Sequence, residues 1–149
     1  MRLSRALFPV ALAIATSGCS KGEPRPKVTY GEPVGVQMAA SRGLPAYEMA
    51  LAVTAGVDVA TLVSPVSKAV HDALAACPSV VARGAQGEGA EVAFSIEGGR
   101  TSGPPPPEGD EGCLLRALVD REIVAAQTIS VLVQLRFGGA PKAASSASP

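Results

Sequence analysis

The chain is poor in aromatic residues, which make up 3% of its 149 residues, and it contains no tryptophan. Aromatic side chains bury the largest apolar areas, so a core made mostly of Val, Leu, Ile and Ala gains less per side chain. Small domains with thin cores often depend on a covalent staple. The three cysteines are the residues that could supply one.

Histidine is also scarce, and neither sign of charge dominates. The 13 basic and 13 acidic residues give a formal charge of zero, and no basic patch is apparent, which argues against nucleic-acid binding. The single histidine, His71, precedes Asp72 and could act as a general base. Without a nucleophile motif beside it, a surface histidine on the polar face of a helix explains it better. One histidine and two separated cysteines give no metal-ligand spacing, so we expect no enzyme, cofactor or metal site.

The N-terminal segment has the pattern of an export signal. Arg2 and Arg5 flank the start of an apolar run, Ala6 to Ala15, of about ten residues, which is too short to span a bilayer. Two cleavage sites compete. The small residues from Ala13 to Ala15 fit ordinary cleavage. The sequence Thr16-Ser17-Gly18-Cys19 resembles the bacterial lipobox, in which the cysteine carries the lipid, including palmitate.

The cysteine count favours the lipobox. If Cys19 carries lipid, Cys77 and Cys113 remain as an even pair in an oxidising compartment. A redox-active pair is the alternative, but a Cys-x-x-Cys motif is missing. We therefore predict a lipid on Cys19 and a structural disulfide between Cys77 and Cys113. Ser20 follows the anchor in place of Asp, which in the pattern of enteric-type bacteria implies sorting to the outer membrane.

Composition divides the chain into four parts. We predict a lipoprotein signal peptide at 1–18, a lipid anchor and flexible linker at 19–43, an α+β domain at 44–137 and a disordered tail at 138–149. The linker is rich in Lys, Gly, Glu and Pro and holds almost no large apolar residue, which is typical of an extended tether.

Within the domain, alternating apolar and polar residues predict strands, and apolar residues at helical spacing predict helices. The expected strands are Tyr47–Thr54, Glu91–Glu97, Arg100–Ser102 after a Gly-Gly turn, and Thr128–Phe137, with a further short strand at Val34–Ala40. One helix is expected over Ser64–Cys77, with Ser64 as N-cap and Pro65 in the first turn; a second follows Asp110 as N-cap. Ser79 to Gly89 is expected to be a loop. This order predicts an α+β fold, a small antiparallel sheet with two helices packed on one face.

Several of these features occur together in a known arrangement. A helix ends in Cys77-Pro78, and a Gly-x-Gly, the strand Glu91–Ile96, a Gly-Gly turn, Gly112-Cys113-Leu114 and a terminal strand Val131–Phe137 follow. From Ser64 to Phe137 this resembles the C-terminal domains of myxobacterial gliding-associated proteins of the AgmX/PglI type and their TonB-like relatives. The resemblance implies a TonB-C-terminal-like fold and an envelope interaction module, and it supplies no catalytic residues.

These observations predict a non-catalytic, lipid-anchored cell-envelope protein that binds a protein partner. A small-ligand-binding envelope lipoprotein and an enzyme of unrecognised class are the alternatives. The polar set Ser130, Gln134 and Arg136 on the terminal strand is the candidate partner-binding group. If this strand lies at a sheet edge, its free N–H and C=O groups could pair with another chain. If it lies between Tyr47–Thr54 and Glu91–Glu97, it is only core. The sequence leaves both positions open.

Overall fold

A computed structural model of the chain describes residues 27–41, 43–110 and 112–138. The predicted signal peptide, Cys19 and residues 139–149 of the predicted tail lie outside the described residues. In chain order the elements are β1 (Val34–Met38), β2 (Tyr47–Val53), α1 (Ala60–Ala75), α2 (Pro78–Ala85), β3 (Ala90–Glu97), β4 (Arg100–Ser102), α3 (Cys113–Leu118) and β5 (Ile129–Phe137).

The strands form one antiparallel sheet in the order β1-β2-β5-β3-β4, which confirms the α+β class. The last strand in sequence is therefore the middle strand of the sheet. Gly98 and Gly99 join β3 to β4 with positive φ angles of 57° and 80°, a backbone conformation that glycine adopts without steric cost. The described residues contain three helices where the sequence predicted two.

The helices cover one face of the sheet, and the core lies between them. Alternate residues of β5 are buried there, and α1 contributes Val66, Val70 and Leu74, which are fully enclosed. The packing is close enough that α2 needs a glycine: a Cβ on Gly84 would lie 2.2 Å from Cδ2 of Phe137. Aliphatic side chains thus fill most of the core, and Phe137 reaches α2 only because Gly84 leaves room.

The first helix begins earlier than predicted. α1 starts at Ala60, whose backbone N–H donates to Oδ1 of Asp58 at 3.0 Å, so Ser64 is not its N-cap. Leu62 continues the apolar spacing of the later turns and is buried, which extends the helix backwards. Pro65 lies inside the helix, in its second turn, where the sequence placed it in the first.

The segment after the first helix is a second helix and not a loop. Pro78 begins α2 at a position that suits proline, since its missing N–H would have no partner in a first turn. Val80 and Gly84, four residues apart, are buried on one face. The expectation of a loop over Ser79–Gly89 is therefore wrong for residues up to Ala85.

The third helix has a different N-cap from the one predicted. Gly112 precedes α3, and Asp110 contributes its backbone carbonyl, which accepts from the N–H of Cys113 at 3.1 Å. No side chain caps this helix. The prediction of Asp110 as a side-chain cap is wrong because a backbone turn already occupies that place.

The ordered sheet also begins earlier than the predicted domain. β1 lies inside the range 19–43 that was expected to be linker, and the N–H of Gly31 already donates to the carbonyl of Val53 at 2.8 Å. The boundary at residue 43 is therefore wrong. β1 matches the short strand predicted at Val34–Ala40: it pairs along its whole length with β2, and Val36 and Met38 pack against the core.

One buried hydroxyl ties the sheet to the segment after α3. Thr101 is 1% exposed, donates to the carbonyl of Leu118 and accepts from the N–H of Arg121 at 2.8 Å. A buried hydroxyl that both donates and accepts satisfies groups that would otherwise be desolvated without partners. Thr101 therefore fixes where the chain turns back along β4. None of the described helices is long and apolar enough to cross a membrane.

Candidate functional site

A disulfide joins Cys77 to Cys113, with 5.9 Å between their Cα atoms. Cys77 stands between α1 and α2 and is fully buried, and Cys113 is the first residue of α3. The bond therefore links all three helices of the layer that covers the sheet. Because it joins a fully buried residue of the helix layer to the half-buried start of α3, it holds the three helices together.

His71 makes contacts that the sequence did not predict. Its Nε2 lies 3.2 Å from Oγ of Ser41, and its Nδ1 lies 3.2 Å from the hydroxyl of Tyr47. The imidazole is half-buried and stacks on the Tyr47 ring with 6.2 Å between centroids. His71 therefore connects α1 to β2 and to the turn between β1 and β2, and is not a free surface side chain. A Tyr hydroxyl stands where a Ser-His-Asp triad has a carboxylate.

Neither Asp72 nor Tyr47 supplies a free charge to His71. Asp72 accepts a hydrogen bond from Lys68, 2.7 Å between Nζ and Oδ2, and this contact lowers the pKa of the Asp72 carboxyl. Burial raises the pKa of the Tyr47 phenol, so Tyr47 stays neutral at physiological pH. Among the described residues, no group of three or more His, Cys, Asp or Glu side chains could hold a metal ion.

An apolar groove of about 590 Å³ lies beside the same turn. It is bounded by the turn at Gly43–Pro45, the end of α1 and the outer side of α2. The side chains that give it its character are Leu44, Pro45, Leu74, Pro78 and Val81. It is open and has no charged side chain among its lining residues, so it could accept a small apolar group but offers little to orient a polar one.

The predicted partner-binding residues lie together on the open face of the sheet, on β5. The amide of Gln134 donates to Oε2 of Glu91 at 2.8 Å, and Arg136 stands opposite Glu48 in the β2–β5 register. The N–H of Ser130 donates to the hydroxyl of Thr54 at 2.9 Å. These residues thus have cross-strand neighbours within the sheet.

The proposal that another chain pairs with β5 is wrong. β5 pairs with β2 on one side, from Phe137 to Val131, and with β3 on the other, from Leu135 to Ile129. Both of its backbone edges are already hydrogen-bonded, so a further strand has no place there. Of the two positions that the sequence left open, the structure shows the central one.

A free edge of the sheet belongs to β1. In an antiparallel strand, successive residues direct their N–H and C=O groups alternately to the two sides. The N–H of Thr54 donates to Ser130 of β5, so every second residue of β2 back to Glu48 points to β5, and Leu51, Met49 and Tyr47 point to β1. Their partners are Val34, Val36 and Met38. Gly35 and Gln37, both exposed, therefore direct their backbone groups away from the sheet.

The opposite edge of the sheet is covered along β4. The N–H of Thr101 donates to the carbonyl of Arg121 at 2.8 Å, and the N–H of Ile123 donates to the carbonyl of Gly99 at 3.0 Å. Residues 120–123 thus run beside β4 and occupy its outward groups. Within the described residues, two stretches of sheet edge have no backbone partner: β1, and residues 90–94 of β3, which extend past the end of β4.

The β1 edge was missed from the sequence, although a signal for it exists. Val34, Val36 and Met38 alternate with Gly35 and Gln37, a strand pattern without a charge or proline inside it. Edge strands usually carry such protective residues, so their absence marks an edge that is available for pairing.

Neither a scan of protein-family profiles nor searches among curated proteins and solved structures found a match to this chain.

Proposed function

We propose that the protein is a non-catalytic, lipid-anchored module of the bacterial cell envelope that binds a protein partner through the β1 edge. The observation that carries the proposal is the outward direction of the backbone groups of Gly35 and Gln37 on an exposed, uncharged strand. Unpaired groups of this kind bind extended peptide by strand addition, in which main-chain hydrogen bonds supply affinity.

The anchor belongs to the same proposal. A lipid on Cys19 would tether the domain to the outer membrane, the destination that Ser20 after the anchor implies. The disulfide between Cys77 and Cys113 supports export, because such bonds persist in oxidising compartments. The resemblance to envelope domains of the AgmX/PglI and TonB-like type supports an interaction role. The contacts of His71 also favour a non-catalytic role, because both ring nitrogens serve to join elements of the fold.

The anchor is tested by fractionation. The chain expressed with its leader should be found with membranes, and Cys19→Ala should release it or block its processing. Ser20→Ala, which leaves the lipid acceptor intact, is the matched control for fractionation. An intact mass that shows an unmodified N-terminus at Thr16 would refute the lipid claim.

The interaction surface is tested in the same cells with a photo-crosslinking amino acid at Gln37, whose backbone faces outward. Cross-linked product should appear there and not at Glu97, an exposed residue of β3, which lies towards the opposite edge of the sheet from β1. Equal labelling at both positions, or none at Gln37, would contradict a specific partner at β1.

A small-ligand function is the second candidate, and the apolar groove beside α2 favours it. It predicts that Val81→Asp, which places a charge in the groove, abolishes ligand binding and leaves cross-linking at Gln37 unchanged. Native mass spectrometry of protein purified from its own cells detects a co-purifying ligand. An empty groove in such a preparation, together with a cross-link at Gln37, favours the first candidate.

A further inference from the structure

We propose that the partner at the β1 edge is a second copy of this chain, paired antiparallel through β1 about a two-fold axis at Val36. The inference rests on the proposed function, which it deepens by naming the partner. The backbone groups of Gly35 and Gln37 restrict the occupant to an extended strand, because only another backbone matches a row of alternating donors and acceptors.

The side chains of β1 are complementary to themselves. A two-fold axis at Val36 places Val34 opposite Met38 of the other copy, and Gly35 opposite Gln37. The first pair is apolar and lies on the helix-covered side, where these side chains are half-exposed in the single chain. The second pair exchanges the outward N–H and C=O groups of both copies. Pro33 ends the pairing, because proline has no N–H to donate.

Charge does not select a foreign peptide at this edge. Residues 34–41 contain no acidic or basic side chain. On the open face, Glu48 of β2 lies opposite Gln37, its Oε1 is 3.8 Å from the position that a Cβ on Gly35 would take, and Arg136 is its neighbour in the β2–β5 register. This negative charge disfavours an acidic strand, and one carboxylate with a cationic neighbour is not the cluster of charges that selects a basic strand. An uncharged strand is the fitting occupant, and β1 of another copy is one.

Pairing through β1 joins two copies. The edge at β4 is occupied by residues 120–123 of the same chain, and the other unpaired stretch, residues 90–94 of β3, lies on the far side of β2 and β5 from β1. When two identical β1 edges pair about a two-fold axis, each satisfies the other, so no further copy can join at β1. A strand of five residues makes a small interface, so we expect weak association in dilute solution. Tethering both copies to one membrane would raise their effective concentration.

Cysteine cross-linking tests the register. In the two-fold arrangement, the Val36 Cα atoms of the two copies form a non-hydrogen-bonded pair about 4.5 Å apart, within disulfide range. The two Val34 positions are offset by four residues, roughly 13 Å along the strand, and are out of range. In the full-length chain, in the cell fraction that contains it, Val36→Cys should form cross-linked dimer at least ten-fold faster than Val34→Cys. Mixed Val34→Cys and Met38→Cys chains should cross-link with each other.

Substitution of the edge tests the hydrogen bonds. Gln37→Pro, in the Val36→Cys background, removes the outward N–H without removing a bond to β2, and should lower the cross-linking rate at least ten-fold. Gln37→Thr keeps the N–H and should remain within two-fold of the parent. Thermal unfolding establishes that both variants are folded, and the mixed-cysteine experiment stands independently of the proline.

The outcomes separate this inference from the proposed function. Equal cross-linking at Val34 and Val36, or none between copies, overturns the second copy as partner. If the photo-crosslinker at Gln37 then captures a chain of different mass, the interaction function stands and the copy does not. Cross-linking of the Val36 positions in a chain that is absent from the membrane fraction supports the paired edge and overturns the lipid anchor.

Discussion

The disulfide should supply a large share of the stability of this domain, and its removal measures that share. The bond joins positions 36 residues apart. In the chain-entropy account, a loop of that length lowers the entropy of the unfolded chain by an amount worth about 4 kcal/mol at 25 °C. Small domains are stable by roughly 5–15 kcal/mol in total. This domain has few aromatic residues in its core, so loss of the bond would leave it with a small free energy of unfolding.

The fall in Tm follows from the size of the described domain, which has about 110 residues. With an unfolding entropy of roughly 2.1 cal/mol/K per residue, a loss of 4 kcal/mol lowers Tm by about 17 °C. Measured losses are often smaller than the entropic value, so we expect a fall of about 10–17 °C. The reduced wild-type chain should show it, since reduction keeps every side chain and breaks only the bond.

The assay compares three proteins by circular dichroism during heating and in urea: the oxidised chain, the reduced chain and the double variant Cys77→Ala/Cys113→Ala. The double variant should be less stable than the reduced chain, because Cys77 is fully buried and its sulfur fills core volume. The single variant Cys113→Ala separates these effects, since it breaks the bond at a half-buried residue and keeps the Cys77 sulfur in place.

The urea slope decides whether the stabilisation acts through the unfolded chain. Without the cross-link, the unfolded chain is less compact and exposes more surface, so the m-value of the reduced protein should rise. A reduced protein that melts within about 3 °C of the oxidised one would refute the reasoning, because that difference is under 1 kcal/mol for this domain size. A large fall in Tm with an unchanged m-value would refute the unfolded-state explanation.

Three further outcomes test the packing and the charges. Gly84→Ala should destabilise the fold by about 1–3 kcal/mol in urea unfolding, because its Cβ would overlap the Phe137 ring; Gly35→Ala, which meets nothing closer than 3.8 Å, is the control. Thr101→Val should cost about 1–3 kcal/mol, because it leaves buried backbone groups without partners, and a stability equal to wild type would contradict that role. NMR titration should place the Asp72 midpoint below that of an ordinary aspartate, and Lys68→Met should raise it. Because the folded pKa is the lower one, the stabilisation from this pair is present above the unfolded pKa and is lost as pH falls through the folded value.

The strands could be predicted from the sequence because a period of two assigns each residue to a face. Glu91–Glu97 and Thr128–Phe137 differ from the observed β3 and β5 by one residue at their N-terminal ends. The order of strands in the sheet could not be predicted. Alternation specifies faces but not neighbours, and β5 pairs with β2 and β3 across long stretches of sequence. For this reason the sequence alone left open whether the terminal strand lies at an edge or in the middle of the sheet.

The missed helix shows how tertiary packing overrides local preference. Three glycines between Ser79 and Gly89 indicated a loop, since glycine weakens helices. Gly84 is nevertheless in α2, because the ring of Phe137 occupies the space that a Cβ would need. That contact joins residues far apart in sequence, so no local pattern could reveal it. The contacts of His71 with Ser41 and Tyr47 were missed for the same reason.

The helix layer and the middle of the sheet are held by many internal bonds, whereas β1 has backbone groups that are free to pair with another strand. The disulfide ties together the helix layer, and the middle strands β2 and β5 are paired on both sides. β1 has strand hydrogen bonds to β2 alone, and two of its five residues, Gly35 and Gln37, direct their backbone groups away from the sheet. Regions with few internal hydrogen bonds open most easily, and binding surfaces are drawn from them. A partner strand at β1 would complete its hydrogen bonds and cover its half-exposed valines, so binding there would stabilise the least secured element while the stapled core stays unchanged.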